Sequence, residues 1–427
     1  MADTTQPHLV RALGRWDLTA LVINCILGSG IFGLPAAIIV LLHGASPLAY
    51  LVAGAGIAVI VVCFAEVSSR FTEAGGPYLY ARQAFGPFVG LQIGWIAWLV
   101  RVTSAAANFN LFVLYLAELW EPASTLVGRA LVITLLILIL TYINYRGVKQ
   151  GAWASDALAL AKLLPLAFFV LVGLFFVRGD AFSLTTTATW KDWSQAILLL
   201  VFAFGGFEAS LLPAAEARDP KRDFPIALLT GLAVITLFYL SIHVVVQGTL
   251  PVGTQTERPL ATAANEFLGN WGGQFMALAA MLSVYGWSSG ALLSAPRLTF
   301  ALGERGDFPA FFAAVHSRYH TPHVSLWFFA VLSWGLALYG SFQWNAMLSA
   351  VARLLTYAAV CAALLVFRRR EPGVELFHAP AGALLAALGI GFSLVLVAQM
   401  GRGELIILVV TVVLATLTWL WSRRRTA

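Results

Sequence analysis

The sequence predicts an all-α integral membrane protein of about twelve transmembrane helices, with helices 1 and 6 broken inside the membrane. Three observations predict it. Of 427 residues, 60% are hydrophobic and only 11% are charged, where a soluble domain carries roughly 25% charged residues. The apolar residues fall into twelve runs, each long enough to cross a hydrocarbon core of about 30 Å. Two of those runs are interrupted by glycines, at Gly28-Ser29-Gly30-Ile31-Phe32 and at Phe204-Gly205-Gly206-Phe207-Glu208.

In chain order the runs cover about 16–42, 46–69, 87–117, 127–145, 152–177, 193–215, 224–248, 271–301, 324–341, 345–367, 380–399 and 404–422. The first begins after Trp16-Asp17, is long and lacks a small-residue cleavage site, so it reads as a retained helix. The loops between runs are too short for a separate soluble domain. The longest outer loop, 257–270, holds a helix-like stretch from Leu260 to Leu268 suited to an external lid.

Gly205 follows Gly28 by 177 residues, and five runs fit between the start of the first and the start of the sixth. That spacing predicts a 5+5 internal repeat with the second copy inverted. Residues 1–370 then form the core, and runs 11 and 12, within 371–427, are accessory.

The basic residues set orientation. With the N-terminus inside, 18 of the 26 Lys and Arg residues lie on the cytoplasmic side and 5 outside (Arg129, Arg178, Lys191, Arg258 and Arg402). The remaining three, Arg101, Lys162 and Arg353, fall within runs. An even number of spans puts both termini inside. The net charge of +6 is therefore membrane topology facing anionic headgroups. It is scattered over many loops, so no nucleic-acid partner is expected. The absence of any N-x-[ST] sequence favours a bacterial cytoplasmic membrane. Cys25, Cys63 and Cys361 all lie within runs, and no disulfide is expected.

A helix broken in lipid leaves backbone groups that protein, water or a ligand must satisfy. After the first break, the N–H groups near Ser29, Gly30 and Ile31 form the positive end of a new helix, suited to a carboxylate. Before it, the carbonyls from Asn24 through Ile26 to Leu27 are orphaned and suit an ammonium. Those of Phe202 to Phe204, ahead of Gly205, do the same in the sixth run. An α-amino acid zwitterion presents one group of each kind, so no charged side chain is required for binding.

Three ionisable residues within the membrane add to this. Lys162, inside the fifth run, is costly there unless it serves a function. It reads either as a proton-coupling group or as a fixed cation tying helices together. Glu208 follows the second break and reads as part of a relay or ion path. Arg101, mid-way along the third run, either pairs Glu208 or meets a substrate carboxylate. Arg353 is similarly placed and receives no role. His316, His320 and His323 read as a solvated loop, because Pro322 interrupts any helix that would align them for a metal. No nucleotide-binding or hydrolase motif is present, so no cofactor, metal or enzyme activity is expected.

Several stretches together resemble the amino acid–polyamine–organocation (APC) superfamily of permeases. They are Arg15-Trp16-Asp17-Leu18 leading into the first glycine break, and Phe64-Ala65-Glu66-Val67-Ser68-Ser69-Arg70 running to Glu73-Ala74-Gly75-Gly76-Pro77-Tyr78. The others are Phe202 to Glu208, Glu216-Ala217-Arg218-Asp219-Pro220-Lys221-Arg222, and Ala295-Pro296-Arg297 running to Asp307-Phe308-Pro309. The resemblance spans about residues 11–370 and implies a LeuT-like fold and transport of amino acids or related amines. It implies that Phe202 covers the substrate, and that Lys162 replaces a bound sodium ion, its amine reaching the first break and Ser288 or Ser289. Arg101 departs from the small or apolar residues the resemblance leads one to expect there. The reading is a sodium-independent, proton-coupled transporter of small neutral amino acids working by alternating access. The alternatives are an exchanger, or a channel or sensor on the same fold.

Overall fold

The computed structural model describes residues 14–71, 76–147, 152–184, 187–211, 219–370 and 377–426. Arg11, Lys149, Glu73 to Gly75 and Glu216 to Arg218 lie outside the described residues. Among the described residues the chain is helical almost throughout, with no strand.

The first apolar run is three pieces: α1 (Arg15–Ile26), α2 (Gly30–Gly33) and α3 (Pro35–Leu42). Asp17 starts α1 by accepting the Gly14 N–H at 2.9 Å. Next come α4 (Ser46–Ser68), α5 (Gly76–Phe85), α6 (Pro87–Leu119), α7 (Leu126–Tyr145) and α8 (Ala152–Gly173). The second half opens with α9 (Trp190–Phe204), started by a reciprocal cap between Thr189 and Asp192. It stops at Gly205, and a tight 3₁₀ turn follows over Phe207–Leu211. Then follow α10 (Pro220–Thr249), α11 (Pro259–Leu268), α12 (Asn270–Glu304), α13 (His323–Tyr339), α14 (Phe342–Arg370), α15 (Gly382–Val397) and α16 (Arg402–Thr426).

Among the described residues, eight helical stretches are long and apolar enough to cross a membrane. Of the other predicted runs, the fifth holds α8, of 22 residues, and the ninth and eleventh hold shorter helices. With 17 and 16 residues, α13 and α15 rise only about 26 and 24 Å, short of the hydrocarbon core. The two expected breaks are both present, at Leu27–Ser29 and at Gly205–Gly206.

Helices α1 and α9 lie inside the bundle, against α10, α4 and α14, with α6 and α12 packed alongside. The outer pair is peripheral. Helix α15 rests on α4 and α14, and α16 on α6. Gln92 donates to Thr416 at 3.0 Å and Trp95 to Thr418 at 3.2 Å, fixing the register of α16 on α6.

Two of the sequence motifs are long-range clasps. The Glu66 carboxylate, fully buried on α4, receives a two-pronged Arg368 guanidinium at 2.8 and 2.6 Å and the Ala379 N–H at 2.8 Å. Arg70 stands 3.7 Å away on the next turn. Tyr78 and Arg82 on α5 both bond Asp307 at 3.1 Å, closing the turn after α12 against α5. On the opposite end, α11 caps the bundle with Leu260, Ala261, Ala263 and Ala264 fully buried. Glu118 at the end of α6 holds it, accepting from Asn265 at 3.1 Å and pairing Arg258 at 3.2 Å.

Candidate functional site

The two breaks face each other. Of the carbonyls left without a helical donor at the end of α1, those of Asn24, Ile26 and Leu27 each meet a side chain. Lys162 Nζ donates to Asn24 O at 2.9 Å and to Leu27 O at 3.1 Å. The Tyr239 hydroxyl lies 3.1 Å from Ile26 O and 3.3 Å from Ala203 O, so it spans the ends of α1 and α9. Helix α2 then opens at Gly30 with no side-chain cap and runs on through Leu34 into α3. Its first N–H groups have no carbonyl ahead of them.

Glycine is needed here for two different reasons. Gly206 has φ +116°, and a Cβ on it would strike the Cys25 carbonyl, so only glycine lets the two breaks approach. A Cβ on Gly30 would meet Ala203 Cα at 2.6 Å. Gly30 is therefore a close-packing residue between α2 and α9. A Cβ on Gly28 would make only ordinary contacts, at 3.8 Å to Ile26 O and 4.0 Å to Trp287 Cδ1.

A small cavity of about 40 Å³ lies between the breaks. Its walls are Cys25, Ile26, Gly28, Ser29 and Gly30 from the first break, and Phe202, Ala203, Gly205 and Gly206 from the second. Ser104 and Asn108 of α6, Trp287 of α12 and Arg353 of α14 complete it. Phe202 forms an edge-on wall with Phe342, ring centroids 6.1 Å apart. Among the described residues the Ser29 hydroxyl and Asn108 Oδ1 are buried with no hydrogen-bond partner, as are Asn24 Oδ1 and the Ser288 hydroxyl. Buried polar groups left open in this way are suited to a polar ligand.

Of the residues singled out from sequence, Ile26, Ser29, Gly30, Phe202 and Gly205 line the cavity. Asn24 contributes its carbonyl to Lys162 from behind the wall. Ile31 is buried beside Gly30 without lining the cavity, and Phe204 turns away to pack on Tyr239 at 5.5 Å. Lys162 reaches the first break as expected, but the Ser288 hydroxyl forms no bond to it. Ser288 is fully buried in α12 beside Trp287.

The partner of Glu208 is Arg353, not Arg101. Arg353 Nη1 lies 2.9 Å from Glu208 Oε1. Glu208 Oε2 accepts the Gly206 N–H at 3.0 Å and the Tyr357 hydroxyl at 3.1 Å. One carboxylate thus ties the second break to α14. The Arg353 guanidinium lies directly over Gly205, filling the space a side chain would take. Arg101 sits one turn from Ser104 on the same face of α6. It is half-buried, within electrostatic range of Glu208 and Arg353, and makes no ion pair among the described residues. Ser104, Asn108 and Trp287 were not singled out from sequence. The available signal for the first two was their i, i+4 spacing as polar residues on α6; nothing in the sequence marked Trp287. Among the described residues no His, Cys, Asp or Glu cluster has metal-site geometry.

A bundle of apolar helices in which two discontinuous helices converge on a buried polar cavity has the architecture of a secondary transporter. The amino acid permease family profile matches residues 13–420, and the chain belongs to that family. The methylthioribose transporter of Bacillus subtilis (strain 168) is 25% identical, with 99% of this chain and 96% of its own length aligned. The branched-chain amino acid permease BcaP of the same strain is 25% identical, over 94% of this chain and 90% of its own. Its serine/threonine exchanger SteT is 27% identical, over 87% and 86%.

Proposed function

We propose that this permease is a secondary active transporter of small amino acids with neutral side chains, working by alternating access, driven by protons and independent of sodium. The observation that carries this reading is the convergence of both breaks on one cavity. Its lining includes the start of α2, the ends of α1 and α9, and the open polar atoms of Ser29 and Asn108. The zwitterion's carboxylate would meet the start of α2, near Ser29 and Gly30. Its ammonium would meet a carbonyl at the end of α1 other than those Lys162 and Tyr239 engage, such as that of Cys25 in the wall. Phe202 would cover it. The same reading takes residues 1–370 as an inverted 5+5 core and 371–427 as accessory. It places the chain in a bacterial cytoplasmic membrane on the absence of N-x-[ST] sequences, with both termini inside on the charge bias.

A neutral side chain is favoured by the charges around the cavity. Arg353 stands in its wall and Arg101 is one turn away, so a cationic side chain would meet like charge. The relatives divide on this point: some are named for branched-chain amino acids or for serine and threonine, others for arginine with ornithine or agmatine, so the reading rests on the charges around the cavity. Exchange is the second reading. Its specific support is Lys162, whose amine is already engaged by two backbone carbonyls, as a fixed structural cation would be.

Binding is tested by a thermal-shift screen with the twenty amino acids, since a ligand of the folded state raises apparent stability. A subset with neutral side chains is expected to raise the melting temperature of the native chain. Gly28 lines the cavity and a Cβ there makes only ordinary contacts, so Gly28→Leu is expected to crowd the cavity and lose every shift, with a melting temperature in the absence of ligand close to the native one. If Gly28→Leu keeps the full response, the binding site lies elsewhere. Sodium independence has its own measurement. Uptake into proteoliposomes in choline buffer is expected to equal that in sodium buffer, because Lys162 supplies the charge a cation would bring. A tenfold or greater stimulation by sodium would contradict the role given to Lys162.

A further inference from the structure

A larger cleft, of about 420 Å³, lies far from the two breaks. Three segments build it: Phe85 to Phe88 at the α5–α6 corner, Gly303 to Ala310 after α12, and Trp419 to Arg423 near the end of α16. Its polar lining is cationic. Arg305 and Arg423 are both exposed in it, and Arg423 is laid over the Trp419 ring at 4.4 Å. The one acidic lining residue, Asp307, is already engaged by Arg82 and Tyr78 at 3.1 Å. The start of α6 at Pro87 opens beside it with no side-chain cap.

Two features point to the source of an anion for this cleft. Trp419 and Trp421 line it near the end of a membrane-crossing helix, as tryptophans do at the headgroup level. From it the bare face of α16 runs back along the bundle, with Leu420, Leu417, Val413, Val410 and Ile406 all exposed. An acyl chain has a continuous apolar track there, which a free anion does not need.

We propose that this cleft binds the phosphate headgroup of an anionic phospholipid, with its chains along α16. A lipid seated there joins α16 to α6 and α12, the helices that carry Ser104, Asn108 and Trp287. The site stands independently of which amino acid is carried.

The test uses full-length protein in detergent. Retained lipid is counted by native mass spectrometry, and melting temperature is followed, with added phosphatidylglycerol, phosphatidylcholine or inorganic phosphate. Phosphatidylglycerol is expected to be retained and to raise the melting temperature, and the other two are not. Each arginine near a charged surface strengthens lipid binding roughly fivefold. Arg305→Gln with Arg423→Gln is therefore expected to weaken phosphatidylglycerol binding about twenty-five-fold, with stability in phosphatidylcholine unchanged. Should the double variant fail to fold, each single variant is read, with a loss of roughly fivefold expected. Arg318→Gln, on a distant loop, is the control and is expected to bind as the native chain does. Unchanged phosphatidylglycerol binding in the variants overturns the site. Equal binding of phosphatidylcholine removes the need for an anion. A stabilisation by inorganic phosphate that matches the lipid's would mean a free-anion site and overturns the lipid assignment.

Discussion

Lys162→Ala is expected to remove net, pH-driven uptake altogether. In the native chain the Lys162 ammonium occupies two of the carbonyls that α1 leaves open at its end. Truncation leaves both without a donor, at about 1–3 kcal/mol each for a buried group. It also removes the only cation that touches the first break among the described residues. If Lys162 carries the proton, it must switch between charged and neutral forms, and its grip on Asn24 O and Leu27 O must loosen in each cycle. That coupling would link protonation to the position of α1. Lys162→Met is the companion variant, since it keeps the stem and loses the ammonium, both its charge and its donors. Radiolabelled uptake under an imposed pH gradient measures both. Persistence of gradient-driven uptake in either variant would rule out Lys162 as the coupling group.

Arg353→Ala is expected to have the largest effect on stability. It strips Glu208 of its counter-ion inside the membrane. Removing one member of a buried pair costs about 3–5 kcal/mol, chiefly because the other charge is left behind. Glu208 would keep the Gly206 N–H and the Tyr357 hydroxyl, which stabilise the charge only in part. Adding Glu208→Gln should therefore recover much of the lost stability. Thermal unfolding of the single and double variants in the same detergent reads this directly. If the double variant is as unstable as Arg353→Ala alone, the charge pair is not what ties α14 to the second break.

The breaks were legible in the sequence because lipid leaves so few options. Glycines in the middle of an apolar run open backbone groups that must be satisfied, and both interrupted runs are broken where the glycines stand. The ends of the spans were less legible. Apolar composition does not show where a helix leaves the membrane, so α6 and α12 run on to 33 and 35 residues. Pairings across the chain were least legible. Arg101 and Arg353 have the same local signature, a lone arginine in an apolar run. Which one meets Glu208 depends on how α6 and α14 are rotated about their axes, and that is set by packing. The two aromatics of the second break show the same limit. Phe202 and Phe204 lie two residues apart on a helix, on nearly opposite faces. Only packing decides that Phe202 lines the cavity while Phe204 is buried against Tyr239. The permease motifs that the sequence displays most clearly are in part structural. Glu66 and Asp307 clamp helices together and take no part in the cavity.

The most direct measurement is uptake of a radiolabelled amino acid, chosen from the thermal-shift screen, into proteoliposomes. The pH gradient and internal unlabelled substrate are varied independently. Saturable uptake that rises with an inward proton gradient and proceeds into empty vesicles is the predicted result. Uptake that ignores the gradient and requires internal substrate would contradict proton symport and make the protein an exchanger.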